Sequence, residues 1–410
     1  MLSWLQKYAR RDVERTKVYI YHIDHEHDRT YSENVIEYLQ GRGVTCVAIQ
    51  LRADGLRPEL ELCLDDPPSA VLGFNTTLDH SWLSNGSFLA AAERAGTPVV
   101  QWIVDHPSAR WPEFYASTVS NSRYLLNTDE ECRFFAKHCL PGALTAPMGG
   151  VGPNRRSRVT RLEPEAFLRR RFDCMIPLSL HRVRGIAANE AALAALEPAH
   201  AAAARDAIVS AQCDLAGTLD RHVETVLAGR NCPVPAAAFN AICHVVEQAV
   251  QTFRRLKIFA VAKKYRVLVQ SDESAVPHVT GGAAILETGV GMQYTLARIP
   301  TCRAVLSVSP INEMIHDRTM NALNAGCVAI LEDNPASRRV FEHGRNALLF
   351  RYDDDSIAEC LDVVCHQPDR AYAIAQAGLS LRDDLRLRFG QFHNLLDLAR
   401  RRPPAGASDN

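Results

Sequence analysis

The 410-residue sequence has no surplus of charge: Lys and Arg number 46 against 47 Asp and Glu, a formal net charge of −1. That balance excludes a field-driven partner such as nucleic acid, so any anion the chain holds is held locally. Ordered cysteine spacing is also missing. The 12 cysteines include no C-x-x-C pair and no metal-type Cys/His spacing, which excludes a disulfide framework or a zinc ribbon and reads as free thiols in a reducing cytoplasm. No apolar run approaches the ~20 residues of a transmembrane segment, and the opening MLSWLQKYARRDVERTK lacks a signal-peptide core. Leu2, Trp4, Leu5 and Tyr8 with their basic neighbours leave peripheral membrane contact as the alternative to a first helix packed on its own domain. No internal repeat is present, and the tail at 401–410 reads as disordered.

What is there is strand–helix alternation. TKVYIYHI (16–23) reads as a buried strand, SENVIEYLQGRG (32–43) as a helix ended by glycine, and VTCVAIQL (44–51) as a second strand. SAVLGFN, SFLAAAERAG and TPVVQWIVD repeat the pattern up to residue 105, predicting an open parallel sheet covered by helices. Prolines and glycines from Pro141 to Pro153 interrupt it, and the arginine-rich NRRSRVTRLEPEAFLRRRF reads as a solvated hinge. An alanine-rich helical region over 186–260 follows the strand FDCMIPL, and alternation then resumes from KYRVLVQS to NALLFRY. The expected class is α/β, with two Rossmann-like domains at 1–160 and 161–400 and a helical insertion in the second. The helix near 387–400 is counted with the second domain, with return to the first as the alternative.

The stretch PINEMIHDRTMNALNAGCVAILEDN, 310–334, places polar chemistry between two apolar segments. If AVLSVS is a parallel strand, these residues lie at its carboxyl end, where open α/β sheets bind ligands. Asp317, Asn321 and Asn324 share one polar face of the following helix, opposite Met320 and Leu323. Glu313, His316 and Arg318 gather at its start, where free N–H groups and the dipole favour an anion such as a diphosphate, and the guanidinium fork matches phosphate oxygens.

From Leu286 to Val363 the sequence resembles the group 1 glycosyltransferases of the GT-B fold, and within them the CgeB-like branch. Glu313 matches the first Glu of a Glu-x7-Glu motif, ALNAG followed by CVAIL matches its small-residue segment and strand, and Asn321 stands where the second Glu is usual. HDRTMNALNAG and EHGRNALLFRYDDD are similar to the CgeB-like branch, and QWIVDHP resembles the end of a first-domain strand. The resemblance implies two domains facing across a cleft, an N-terminal acceptor side and a C-terminal nucleotide-sugar side. It implies a metal-independent, retaining transfer from a nucleotide sugar to a glycan, lipid-linked or protein acceptor, with no cofactor. It assigns Arg318 and the helix start to the diphosphate, with His316 and Asp317 in the same motif, Glu313 to donor-sugar hydroxyls, Asn321 to the ribose, and Arg182 with Arg184 to a second basic contact.

Asp105 and His106 end a first-domain strand, at the edge from which either could deprotonate an acceptor hydroxyl. The competing reading gives Asp105 the turn before Pro107 and leaves His106 to packing. In YHIDHEHDRTY, residues 21–31, the consecutive spacing of His22, Asp24, His25, Glu26, His27 and Asp28 favours a polar loop over a metal hydrolase. Two further readings stay open: a nucleotide-sugar epimerase, which needs no acceptor, and a non-catalytic relative that binds a glycan or partner.

Overall fold

The structure is a computed structural model and describes residues 16–23, 26–51, 60–61, 64, 66–75, 77–78, 81–83, 86–111, 122–148, 159–180, 186–214, 217–308, 315–382 and 393–401. The chain divides into two compact units, residues 1–149 with 389–410, and 150–388.

In the first unit, β1 (Lys17–His22), α1 (Glu26–Gln40), β2 (Thr45–Gln50), β3 (Ala70–Phe74), α2 (Phe88–Arg94), β4 (Val99–Trp102), β5 (Ser122–Leu126), α3 (Asp129–Phe134) and β6 (Leu144–Pro147) follow in order. The six strands form one sheet in the order β2-β1-β3-β4-β5-β6, and all pairs are parallel. Every residue of β3, β4 and β5 is buried, as a sheet covered on both faces requires. Two expectations change. The helix after β1 starts at Glu26 rather than Ser32, so the second half of the segment read as a polar loop belongs to a helix. The Pro/Gly stretch encloses a strand, β6, whose Pro147 pairs with Leu126; an edge strand tolerates the missing donor.

In the second unit, α4 (Pro164–Leu168), β7 (Phe172–Pro177), α5 (Ile186–Ala194), α6 (Pro198–Cys213), α7 (Leu219–Gly229), α8 (Ala236–Ala262), β8 (Leu268–Ser271), β9 (Ile285–Thr288), α9 (Met292–Arg298), β10 (Cys302–Leu306), α10 (Asp317–Asn324), β11 (Val328–Glu332), β12 (Leu348–Phe350), α11 (Asp354–His366) and α12 (Pro368–Leu381) follow one another. Their parallel sheet has the order β9-β8-β7-β10-β11-β12. Numbered within the unit this is 3-2-1-4-5-6, the doubly wound order whose direction reverses between the first and fourth strands, here β7 and β10. Alternation sorts the side chains: Val328 and Ile330 pack with Ile258 and Phe259 of α8, whereas Ala329 and Leu331 pack with Met320 and Leu323 of α10. The alanine-rich insertion is α5 to α8, four helices packed on one another. Pro198 stands in the first turn of α6, and Pro235 is the N-cap of α8, positions at which proline costs nothing.

The last helix, α13 (His393–Arg400), counted with the second domain in the sequence reading, packs on β4, β5 and β6 of the first. Leu395, Leu398 and Ala399 are buried, the Asn394 amide donates to the Pro147 carbonyl at 2.7 Å, and Arg123 donates to the Arg401 carbonyl at 2.7 Å. These contacts decide its allegiance. The readings for residues 1–15 and 402–410 fall outside the described residues. Among the described residues no helix is long and apolar enough to cross a membrane, and every described cysteine is a free thiol.

Candidate functional site

At the carboxyl edge of the second sheet, α10 begins with a cap built from its own sequence. His316 is the extended N-cap, and its Nδ1 lies in short contact with Asp317 Oδ1. The Arg318 amide donates to Asp317 Oδ1 at 2.8 Å and approaches the ring nitrogen less closely, at 3.2 Å. Asp317 Oδ1 and His316 Nδ1 thus both stand at the Arg318 N–H, and their own contact closes the cap. Burial pushes His316 below the usual imidazole range, with Arg318 and Arg255 adding to the effect against the pull of Asp317. Burial acts to raise Asp317 as well, but His316 and Arg318 outweigh it and hold the carboxyl well below the usual range. A carboxylate in the first turn also meets the positive end of the helix.

The remaining polar face is not solvated. Asp317, Asn321 and Asn324 are as buried as Met320 and Leu323, and the Asn321 amide donates to the Asp317 carbonyl at 3.0 Å. At the other end Gly326, at φ 63, allows Cys327 N–H to reach the Ala322 carbonyl and Gly326 N–H the Leu323 carbonyl, the paired bonds of a Schellman stop. Arg170 then caps the stop, donating to the carbonyls of Ala325 at 2.8 Å and of Gly326 and Cys302 at 2.9 Å each. This corrects the solvated-hinge reading for that part of the arginine run. Arg161 and Arg169, both exposed, make surface ion pairs with Glu163 and Glu165 as a solvated segment would.

Across the reversal of strand order, Asp272 at the end of β8 accepts from Ser179 Oγ at 2.8 Å and Leu180 N–H at 2.6 Å. Arg255 of α8 donates to the Ser179 carbonyl. Neither Asp272 nor Arg255 was singled out from the sequence; the usable signal was an Arg-Arg pair on a helix whose neighbouring turns are apolar. Glu313 and Arg182, with Arg184, lie outside the described residues.

In the first unit the ends of β3, β4 and β5 are tied by side chains. Asn75, at φ 51, accepts from Val104 N–H at 3.0 Å. Asn127 donates to the Val104 carbonyl at 2.9 Å, and buried Glu131 accepts from Asn127 N–H at 2.7 Å. Asp105 and His106 follow this brace. The His106 ring is buried edge-on against Phe134, with centroids 4.7 Å apart. Its Nδ1 accepts from Ser108 N–H at 3.2 Å and lies 2.8 Å from Ser108 Oγ. His106 is thus the cap of the turn at Pro107, with its neutral-ring proton on Nε2, and it cannot take a proton there without giving up the cap. Asp105 is half-exposed and pairs with Arg110 at 3.2 Å.

The linked titration has a definite sign. A carboxyl with a depressed folded-state pKa adds stability above its unfolded value near ~3.9, and that stability is lost as pH falls toward the folded value. His316, held neutral, adds to the acid loss from ~6.5 downward, because the unfolded ring takes a proton that the buried ring resists. Thermal melts are therefore expected to fall continuously from neutral pH into the acid range, and Asp317→Asn to flatten the lower limb. An Asp317→Asn curve parallel to wild type below about pH 4 would remove the depressed carboxyl from the account.

Residues 288–394 match the family model described as "Glycosyl transferase-like". A sequence comparison with curated proteins finds no match. Among solved structures, sucrose-phosphate synthase from Thermosynechococcus elongatus superposes with a TM-score of 0.54 at 8% identity, over 94% of this chain and 100% of that one. Phage T4 BGT, in complex with its UDP-glucose substrate, gives 0.53 at 9% identity over 94% and 99%. Anabaena HepE in complex with UDP-glucose gives 0.50 at 11% identity over 93% and 98%. At such identities the likeness is one of fold: this chain has the two-domain α/β GT-B architecture, and its C-terminal segment is glycosyltransferase-like.

Proposed function

We propose that the protein is a metal-independent, retaining glycosyltransferase that moves a sugar from a nucleoside diphosphate to a hydroxyl of a glycan, lipid-linked or protein acceptor. The observation that carries this reading is the buried His316–Asp317 cap, which fixes the start of α10 and Arg318 at the reversal of strand order, inside the segment matched as glycosyltransferase-like. A leaving diphosphate gathers negative charge in the transition state, and preorganised N–H groups with a guanidinium stabilise that charge without reorganising. In this reading Arg318 and the first N–H groups of α10 hold the diphosphate, Arg182 adds a second cation, and His316 holds the start of the helix. Glu313 keeps the donor-sugar role that the resemblance gives it. Asn321 braces the first turn through Asp317 rather than reaching the ribose. Asp105 is the base for the acceptor, and His106 shapes its turn.

Two of the solved structures named above hold UDP-glucose, so UDP is the first probe in a calorimetric screen with GDP, dTDP, CDP and their sugars. One nucleoside diphosphate is expected to bind and its sugar to be transferred with the donor's anomeric configuration, read by NMR of the product. Failure of all four to bind would sink the reading, and a donor isomerised without acceptor would identify an epimerase instead. Turnover is expected to survive EDTA, because the charge is met by Arg318 and backbone N–H groups. Loss on chelation with recovery on adding manganese would overturn metal independence.

A further inference from the structure

Arg254 and Arg255 are neighbours on α8, and successive helical residues point about 100° apart. Their side chains accordingly reach different strands. Arg254 is 2% exposed; its Nη1 lies 3.8 Å from Glu332 Oε2 at the end of β11. Its guanidinium stands 4.9 Å over the Tyr352 ring beyond β12, and the Tyr352 hydroxyl donates to the other Glu332 oxygen. Arg255 goes the other way, donating to the Ser179 carbonyl beyond β7 and to Gln251 Oε1 at 3.0 Å.

A buried ion pair is a poor source of stability, since desolvation of both charges offsets their attraction and apolar residues of like volume do as well. Here the geometry falls short even of a good pair: Arg254 Nε and Nη1 have no hydrogen-bond partner among the described residues. Such a contact holds α8 in one register and orientation over the carboxyl edge, at the level where Arg255 meets the end of β7. The start of α10 stands on the β10 side of the same reversal, and the Arg255 charge acts on His316 there. A diphosphate lying at that reversal would then have cations on both sides, Arg318 from α10 and Arg255 from the helical insertion.

We propose that the insertion completes the donor site: Arg254, through Glu332 and Tyr352, is a positioning residue that keys α8 to the sheet, and Arg255 is thereby presented to the donor's diphosphate opposite the start of α10. This rests on the nucleotide-sugar reading above. A guanidinium that binds only phosphate oxygens contributes to UDP and nothing to uridine, so the ratio of their affinities isolates its role from folding.

The experiment titrates UDP and uridine by calorimetry into wild type, Arg318→Ala, Arg255→Gln and the double variant Arg254→Met with Glu332→Gln. The double variant removes both buried charges and keeps an oxygen for the Tyr352 hydroxyl. Arg255→Gln is expected to weaken UDP about ten-fold or more and leave uridine unchanged. The double variant is expected to melt with wild type yet show the same selective loss. UDP binding by Arg255→Gln equal to wild type overturns the binding role. A double variant with the wild-type UDP-to-uridine ratio overturns the keying. If the double variant does not fold, Arg254→Lys, which keeps the charge without the planar fork, decides the keying by the same ratio. Wild type binding none of the four nucleoside diphosphates refutes the parent reading itself, which the Arg255 arm alone cannot do.

Discussion

Arg170→Met is expected to lower the unfolding free energy of the second unit by about 2–4 kcal/mol. The guanidinium serves three carbonyls around the end of α10 and the start of β10, those of Cys302, Ala325 and Gly326. Methionine keeps much of the length and apolar stem but offers no donor, so the Ala325 and Gly326 carbonyls lose this donor beside the buried Cys327 and Leu162, while the Cys302 carbonyl keeps the Cys327 thiol at 3.2 Å. An unsatisfied buried acceptor costs about 1–3 kcal/mol, and the half-buried setting admits some water, which keeps the total at the lower end of the sum. For a unit of this size the loss corresponds to roughly 5–15 °C in melting temperature. Differential scanning calorimetry checks it, and a melt within about 2 °C of wild type would mean that water replaces the arginine at no cost. The same variant tests whether α10 must be pinned at its far end for its start to bind nucleotide, since the cap and the stop are only two turns apart.

Arg318→Ala is expected to weaken nucleoside diphosphate binding by about ten- to a hundred-fold, the equivalent of ~1.5–3 kcal/mol for a charge-assisted contact. The backbone bond from residue 318 to Asp317 is kept in this variant, because alanine retains the N–H. Glu313→Gln is the informative partner. If Glu313 meets sugar hydroxyls, the amide keeps the shape, lowers turnover, and leaves affinity for the free nucleoside diphosphate unchanged. Calorimetry on both variants separates them, with thermal melts as the folding control. Wild-type diphosphate affinity in Arg318→Ala would take the phosphate role away from the segment.

The sequence reveals the two units because buried parallel strands leave continuous apolar runs, and TKVYIYHI and CVAILED are such runs. The position of the 310–334 segment at a strand end follows from the same alternation. Strand order does not, because nothing in CRAVL says that it lies beside FDCMI rather than LVQS; that depends on the crossovers. β6 escapes notice because LTAP carries one strong apolar residue and a proline. Arg170 is misread for a related reason: its partners lie more than a hundred residues downstream, and a capping guanidinium has the same local sequence as a solvated one. Asn321 and Asn324 read as a polar face, and its burial goes unread because helix periodicity reports which residues share a face but not whether that face is covered. Arg254 and Arg255 combine both difficulties, sitting in a helix whose length gives no hint that its middle reaches the carboxyl edge.

The return of α13 to the first unit has a consequence for how the protein is made. The chain is synthesised from its amino end, so β4, β5 and β6 are complete while more than two hundred residues are still to come, yet the helix that covers them is encoded last. Until then the surface that will bury Leu395, Leu398 and Ala399 is open to water or to a chaperone, and the Pro147 carbonyl waits for Asn394. The first unit is therefore begun first and closed late, and a nascent chain stalled between residues 148 and 392 carries all six strands without the helix that covers β4, β5 and β6.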